Sequence, residues 1–174
     1  MAKPLVIVFR LSVSPNFLVD VSLGITLPSA EAQEDLIRLT YKTAGLDFNN
    51  TGYFEAHGTG NTYARAHDVA LPLTSTQGTP AGDPLECSAI GATFGATKSM
   101  GKPLLVGSIK TNIGHMEGAS GLASLVKAIY ILEKAQIPPN LWFKEVNPRI
   151  RLSEWGIKVI IPFLHLPLGC PVPY

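Results

Sequence analysis

LLVGSIKTNIGHMEGASGLASLVKAIYILEK, residues 104–134, decides the architecture. Pro103 leads into an apolar run, Leu104 to Ser108, short enough to be a buried strand. A polar, glycine-bearing turn, Asn112 to His115, follows it, and a helix is predicted from about Gly118 to Lys134. Leu122, Leu125, Val126, Ile129 and Leu132 recur at helical spacing and are expected on its buried side. Working outward, TGYFEAHGTG at 51–60 repeats the pattern, with a strand from Tyr53 to Ala56 and then a glycine-bracketed turn. Asp83-Pro84-Leu85-Glu86 predicts a helix start with Asp83 as cap, Pro84 in the first helical position and Glu86 completing a capping box. That helix should present Leu85, Ala89, Ile90, Thr93 and Phe94 to a core.

Further upstream, GITLPSAEAQEDLIRLTYKTAGLD at 24–47 places Pro28 and Ser29 before a helix and Gly45 after its last turn. Ala30, Gln33, Ile37, Thr40, Tyr41 and Ala44 share one face. Strands alternating with helices predict a layered α/β fold.

The whole chain has 174 residues, enough for one sizeable core, and a formal net charge of +1. That balance offers no footprint for nucleic acid or an anionic membrane, and neither is expected as a partner. Cys87 and Cys170 suggest no disulfide framework, and His57, His67, His115 and His165 include no pair at helical zinc-ligand spacing. The apolar run Leu5 to Phe9 is short and broken by Arg10, while Pro162, His165 and Pro167 interrupt the one near the carboxyl end. Neither approaches the roughly 20 apolar residues of a membrane helix, so a cytoplasmic location is expected. High hydrophobic and low charged content suggests a slice of a larger domain with a surface meant to be covered.

His57 and His115 occupy matching places. Each follows a predicted strand and precedes glycines, Gly58 and Gly60 in one case, Gly118 and Gly121 in the other. Strand ends are where α/β sheets concentrate ligands and catalysis, and a histidine there can donate to a developing oxyanion or move a proton near neutral pH. Each could equally be a hydrogen-bonded turn residue. Lys110, five residues before His115, could hold a carboxylate or tune that histidine, and is expected close to it; a solvated surface lysine is the plainer alternative. Glu117 could orient an imidazole, but a helix N-terminal acid is the simpler reading.

EAHGTG at 55–60, TPAGDPLE at 79–86, GSIKTNIGHMEGASG at 107–121 and IPPNLWF at 137–143 resemble, in that order, the carboxyl-terminal half of β-ketoacyl synthases. They are most similar to those of fungal iterative polyketide synthases. The resemblance implies a partial thiolase-like fold, layered α-β-α-β-α, and an intertwined homodimer or pairing with a complete synthase. It implies decarboxylative condensation of acyl and malonyl thioesters carried on the phosphopantetheine of an acyl carrier protein, with no cofactor or metal bound directly. His57 and His115 match the family's enolate-stabilising pair, and Lys110 the lysine that supports them.

Three departures accompany the resemblance. The family's acyl-accepting cysteine, in a serine-rich turn upstream of the region matching Gly24, has no counterpart in residues 1–23. Cys87 reads as a small buried hydrophobe, and Cys170 has no base or glycine elbow beside it. NTYARAHDVALPLTSTQG at 61–78 interrupts a turn that should be continuous, and residues 159–174 replace the family's closing motif. The expected division is therefore 1–23 unmatched, 24–158 synthase-like with an insertion at 61–78, and 159–174 unmatched. Such abrupt, motif-free segments joined to intact motifs read as decayed or non-coding sequence. A chain of this kind is expected to be inactive alone, or to act as a non-catalytic interaction subunit.

Overall fold

The computed structural model describes residues 7–8, 29–58, 82–95, 102–141, 146–161 and 164–165. Four parallel strands form the main sheet in the order β1-β2-β3-β5: β1 (Ile7–Val8), β2 (Tyr53–Glu55), β3 (Leu104–Gly107) and β5 (Ile157–Val159). Tyr53, Phe54 and Glu55 lie opposite Leu105, Val106 and Gly107, and Leu104 lies opposite Ile157. A small antiparallel pair joins β4 (Gln136–Ile137) to β6 (Leu164–His165). The end segments set apart by their sequence thus each contribute a strand, β1 and β6. The segment 61–78 lies outside the described residues.

Period-two alternation assigns the two faces of the sheet. Phe54, Leu104 and Val106 point to one side, into a cluster with Ile37, Tyr41, Ile90 and Phe94. Two helices supply that side. The first, α1 (Ala30–Ala44), starts where Ser29 accepts the Ala32 N–H and ends at Gly45 in the left-handed conformation, as its sequence predicts. Gln33, Ile37 and Tyr41 are buried on it, while Thr40 and Ala44, predicted on the same face, are exposed. The second, α2 (Gly82–Phe94), begins one residue before the predicted cap. The Glu86 carboxylate reaches the β2 turn, accepting the His57 N–H at 2.8 Å and the Gly58 N–H at 2.9 Å. The carboxylate thereby satisfies two N–H groups at a strand end, where backbone donors need a partner.

Tyr53, Leu105, Ile131, Ile137 and Ile160 make a smaller cluster on the opposite side. Here the helix α4 (Ser120–Lys134) corrects the sequence reading. It buries Ser120, Lys127, Ala128 and Ile131, whereas Leu122, Leu125, Val126, Ile129 and Leu132 face outward. Leu122 is 67 % exposed and Ile129 53 %, a contiguous apolar stripe with nothing against it among the described residues. The periodicity was sound, but it marked a face that needs a cover rather than the face turned to this sheet.

Candidate functional site

Both histidine turns leave the same ends of adjacent parallel strands, so their side chains converge. The His57 and His115 ring centroids are 5.6 Å apart and nearly perpendicular, at 84°. The turn after β2 is tight. Gly58 has φ +42°, and a Cβ there would come within 2.7 Å of the Ser108 Cβ, so only glycine fits against the neighbouring strand end.

Lys110 reaches the histidine pair from the turn after β3. It begins a single helical turn, α3 (Lys110–Ile113), where the sequence predicted an irregular turn from Asn112. Its side chain is buried rather than solvated and reaches His57. Nζ donates to the His57 carbonyl at 2.7 Å and lies 3.2 Å from His57 Nδ1. A helical turn after β3 brings the lysine back across the strand ends to the β2 turn.

An ammonium group has only protons to offer, so Nδ1 of His57 must be the acceptor. The Glu117 backbone N–H likewise donates to His115 Nδ1 at 2.9 Å, and the Ser120 hydroxyl sits 3.5 Å from the same nitrogen. Glu117 therefore orients the imidazole, but through its main chain, in a left-handed conformation with φ 46°. Each neutral ring is left carrying its proton on Nε2. The site thus presents two N–H donors with fixed tautomers, an arrangement suited to a developing oxyanion.

Several supporting residues went unread in the sequence. Glu55, buried in β2, forms an ion pair with Lys127 of α4 at 2.8 Å, both side chains almost wholly enclosed. The Tyr53 hydroxyl donates to the same carboxylate oxygen, and the other oxygen accepts the Ile109 N–H at 2.6 Å. Burial lowers the Lys127 pKa, with Glu55 opposing that shift. Asn140 Oδ1 accepts the Ser108 N–H at 3.1 Å, strapping the IPPN stretch to the β3 turn. The available signals were a lone glutamate inside the apolar strand YFEA and a lone lysine inside LASLVKAIYILE.

Cys87 packs against the α1–α2 cluster, and burial, with Glu86 and Asp83 adding, pushes its thiol up to about 12. A thiol held protonated there is a poor nucleophile. Cys170 and His67 lie outside the described residues. Among the described residues no group of three or more His, Cys, Asp or Glu is placed to hold a metal ion. No helix among them is long and apolar enough to cross a membrane.

The α/β fold with its parallel sheet is the thiolase-like fold of ketosynthase domains. The family described as β-ketoacyl synthase, C-terminal domain, matches residues 19–70 and 64–144, and the chain belongs to it. It is 55 % identical over 136 residues to the hybrid PKS-NRPS synthetase pynA of Aspergillus niger, covering 78 % of this chain and 3 % of that protein. It is 48 % identical over 150 residues to the highly reducing polyketide synthase alnA of Emericella nidulans, covering 86 % and 5 %. Among solved structures, a ketosynthase from module 6 of the bacillaene synthase of Bacillus subtilis 168 superposes with a TM-score of 0.66 at 29 % identity, over 82 % of this chain and 22 % of that one. The chain therefore spans a small part of the curated relatives it matches.

Proposed function

We propose that this chain supplies the histidine half of a β-ketoacyl synthase centre acting on carrier-bound malonyl and acyl thioesters. In that reaction the malonyl unit loses carbon dioxide, and the electron pair left behind forms a thioester enolate. Its α-carbon attacks the acyl carbonyl held on a cysteine sulfur, and the thiolate leaves. His57 and His115 would donate their Nε2 protons to the enolate oxygen while Lys110 keeps His57 in its donor tautomer. The observation that carries this reading is the pair of Nδ1 acceptors, each fixed by a donor of the chain itself. One such donor is worth about 3 kcal/mol, or 10²–10³-fold in rate. The partner would be an acyl carrier protein whose phosphopantetheine bears both substrates, in the cytoplasm.

Without an acyl-accepting cysteine the chain should not condense these substrates alone. The segment 61–78 is read as an insertion because it separates EAHGTG from TPAGDPLE, motifs that the family resemblance makes almost continuous. The test is a hybrid in which residues 24–158, with 61–78 removed, replace the matching part of an intact synthase. Condensation should persist and fall about 10²–10³-fold with His57→Ala or His115→Ala. Activity indifferent to both substitutions would remove the assignment. Carrier-dependent product from the chain alone, abolished by Cys87→Ser, would show that Cys87 is the nucleophile after all.

One observation favours a second role, as a non-catalytic subunit that pairs with a complete synthase. The outward stripe on α4 borders a groove of about 560 Å³ lined by Ile113, Met116, Val126 and Tyr130. Co-purification with a synthase, lost on Leu125→Gln, would support it.

A further inference from the structure

Glu55 and Lys127 form the most deeply buried ion pair among the described residues, yet neither is one of the converging histidine-site side chains. Enclosing two charges costs several kcal/mol in desolvation, and well-packed apolar replacements of such pairs are often neutral or stabilising. Stability alone is therefore a weak account of the pair, and its other bonds point to a different one. Lys127 and the Tyr53 hydroxyl occupy one carboxylate oxygen of Glu55, which fixes the direction of the other. That oxygen holds the Ile109 N–H at 2.6 Å, immediately before Lys110. The Ile109 carbonyl in turn accepts from Asn112 and Ile113, so α3 is built on the residue whose N–H Glu55 grips. From that turn the Lys110 ammonium reaches His57, two residues beyond Glu55 on the same chain.

We propose that Glu55, locked by Lys127 and Tyr53, is a positioning residue that sets the Lys110 ammonium against His57 Nδ1 and so fixes the tautomer of His57. The inference rests on reading His57 as an Nε2–H donor, but the tautomer is measured directly, so the two ideas fail separately. His115 is an internal control, because its Nδ1 is held by the adjoining Glu117 backbone N–H.

The test is nitrogen NMR of the full chain with labelled histidine, which reports which ring nitrogen of each residue carries the proton. The unaltered chain should show His57 protonated at Nε2 alone. Glu55→Gln with Lys127→Met removes both charges but keeps an acceptor for Ile109, and should preserve that pattern. Glu55→Leu with Lys127→Met removes the acceptor as well, and should turn His57 into a tautomer mixture while His115 stays unchanged. If that variant fails to fold, Glu55→Asp decides, since it keeps the charge beside Lys127 and withdraws from Ile109; His57 should again become mixed. An unchanged His57 in either folded variant overturns the proposal, and so does a mixed His57 in the Gln–Met pair. A mixed His57 in the unaltered chain overturns instead the donor reading beneath it.

Discussion

The two faces of one sheet are finished to different degrees. On the α1–α2 side, Tyr41 stacks on Phe48 at 4.3 Å, and Phe94 meets Tyr41, Phe48 and Phe54 edge to face at 5.3–5.8 Å. The Tyr41 hydroxyl is satisfied by Thr51 at 2.5 Å, so even the polar tip of that cluster is closed. On the α4 side the contact is one helix deep. Ala128 and Ile131 pack down, the Glu55–Lys127 pair ties helix to strand, and the next row of leucines and isoleucines meets solvent. A closed face stabilises the fold from within this chain. The open one leaves apolar area to be covered.

The largest expected effect tests the closed face. Phe94→Ala removes the ring at the centre of three aromatic contacts and should destabilise by about 3–5 kcal/mol. Chemical denaturation would measure it; a loss no greater than that of an exposed-stripe substitution would erase the contrast.

Alkaline pH sharpens the comparison next. The folded chain keeps the Cys87 proton up to about 12, whereas the unfolded chain releases it from 9.0. Tyr41 is likewise raised from 10.0 to about 12, by burial partly offset by its bond to Thr51. With folded pKa values above unfolded ones, both groups contribute stability that is intact below pH 9 and is lost as pH climbs toward 12. On the open face Tyr53 has the same sign, raised by burial and then by Glu55, but Lys127 is lowered and opposes it. Cys87→Ala should therefore flatten the fall in stability between pH 9 and 11 by up to about 1.4 kcal/mol per pH unit. An unaltered slope in denaturation series at several pH values would show that the thiol is not so enclosed.

The smallest effect belongs to the stripe. Leu125→Gln with Ile129→Gln should change stability by no more than about 0.5 kcal/mol per site, as for other surface positions. The same pair should reduce binding of a hydrophobic dye. A loss of several kcal/mol would mean that these side chains pack within the chain.

Local chemistry made much of this molecule readable from its residues alone. Ser29 and Gly45 delimit α1, because caps act within one turn and need no distant partner. The strands at Tyr53 and Leu104, the α2 core face through Ala89, Ile90 and Phe94, and the strand-end places of His57 and His115 follow from periodicity and glycine placement in the same way. What only the tertiary structure decided involves groups far apart in the chain competing for one another. Glu86 reached the His57 turn, 28 and 29 residues away, and Lys110 met a histidine 53 residues off. Glu55 found its lysine on another element, and α4 turned its less apolar side to the sheet. A sequence pattern states which side chains must leave water; which neighbour receives them depends on the competition among all the surfaces and orphan donors that folding brings within reach.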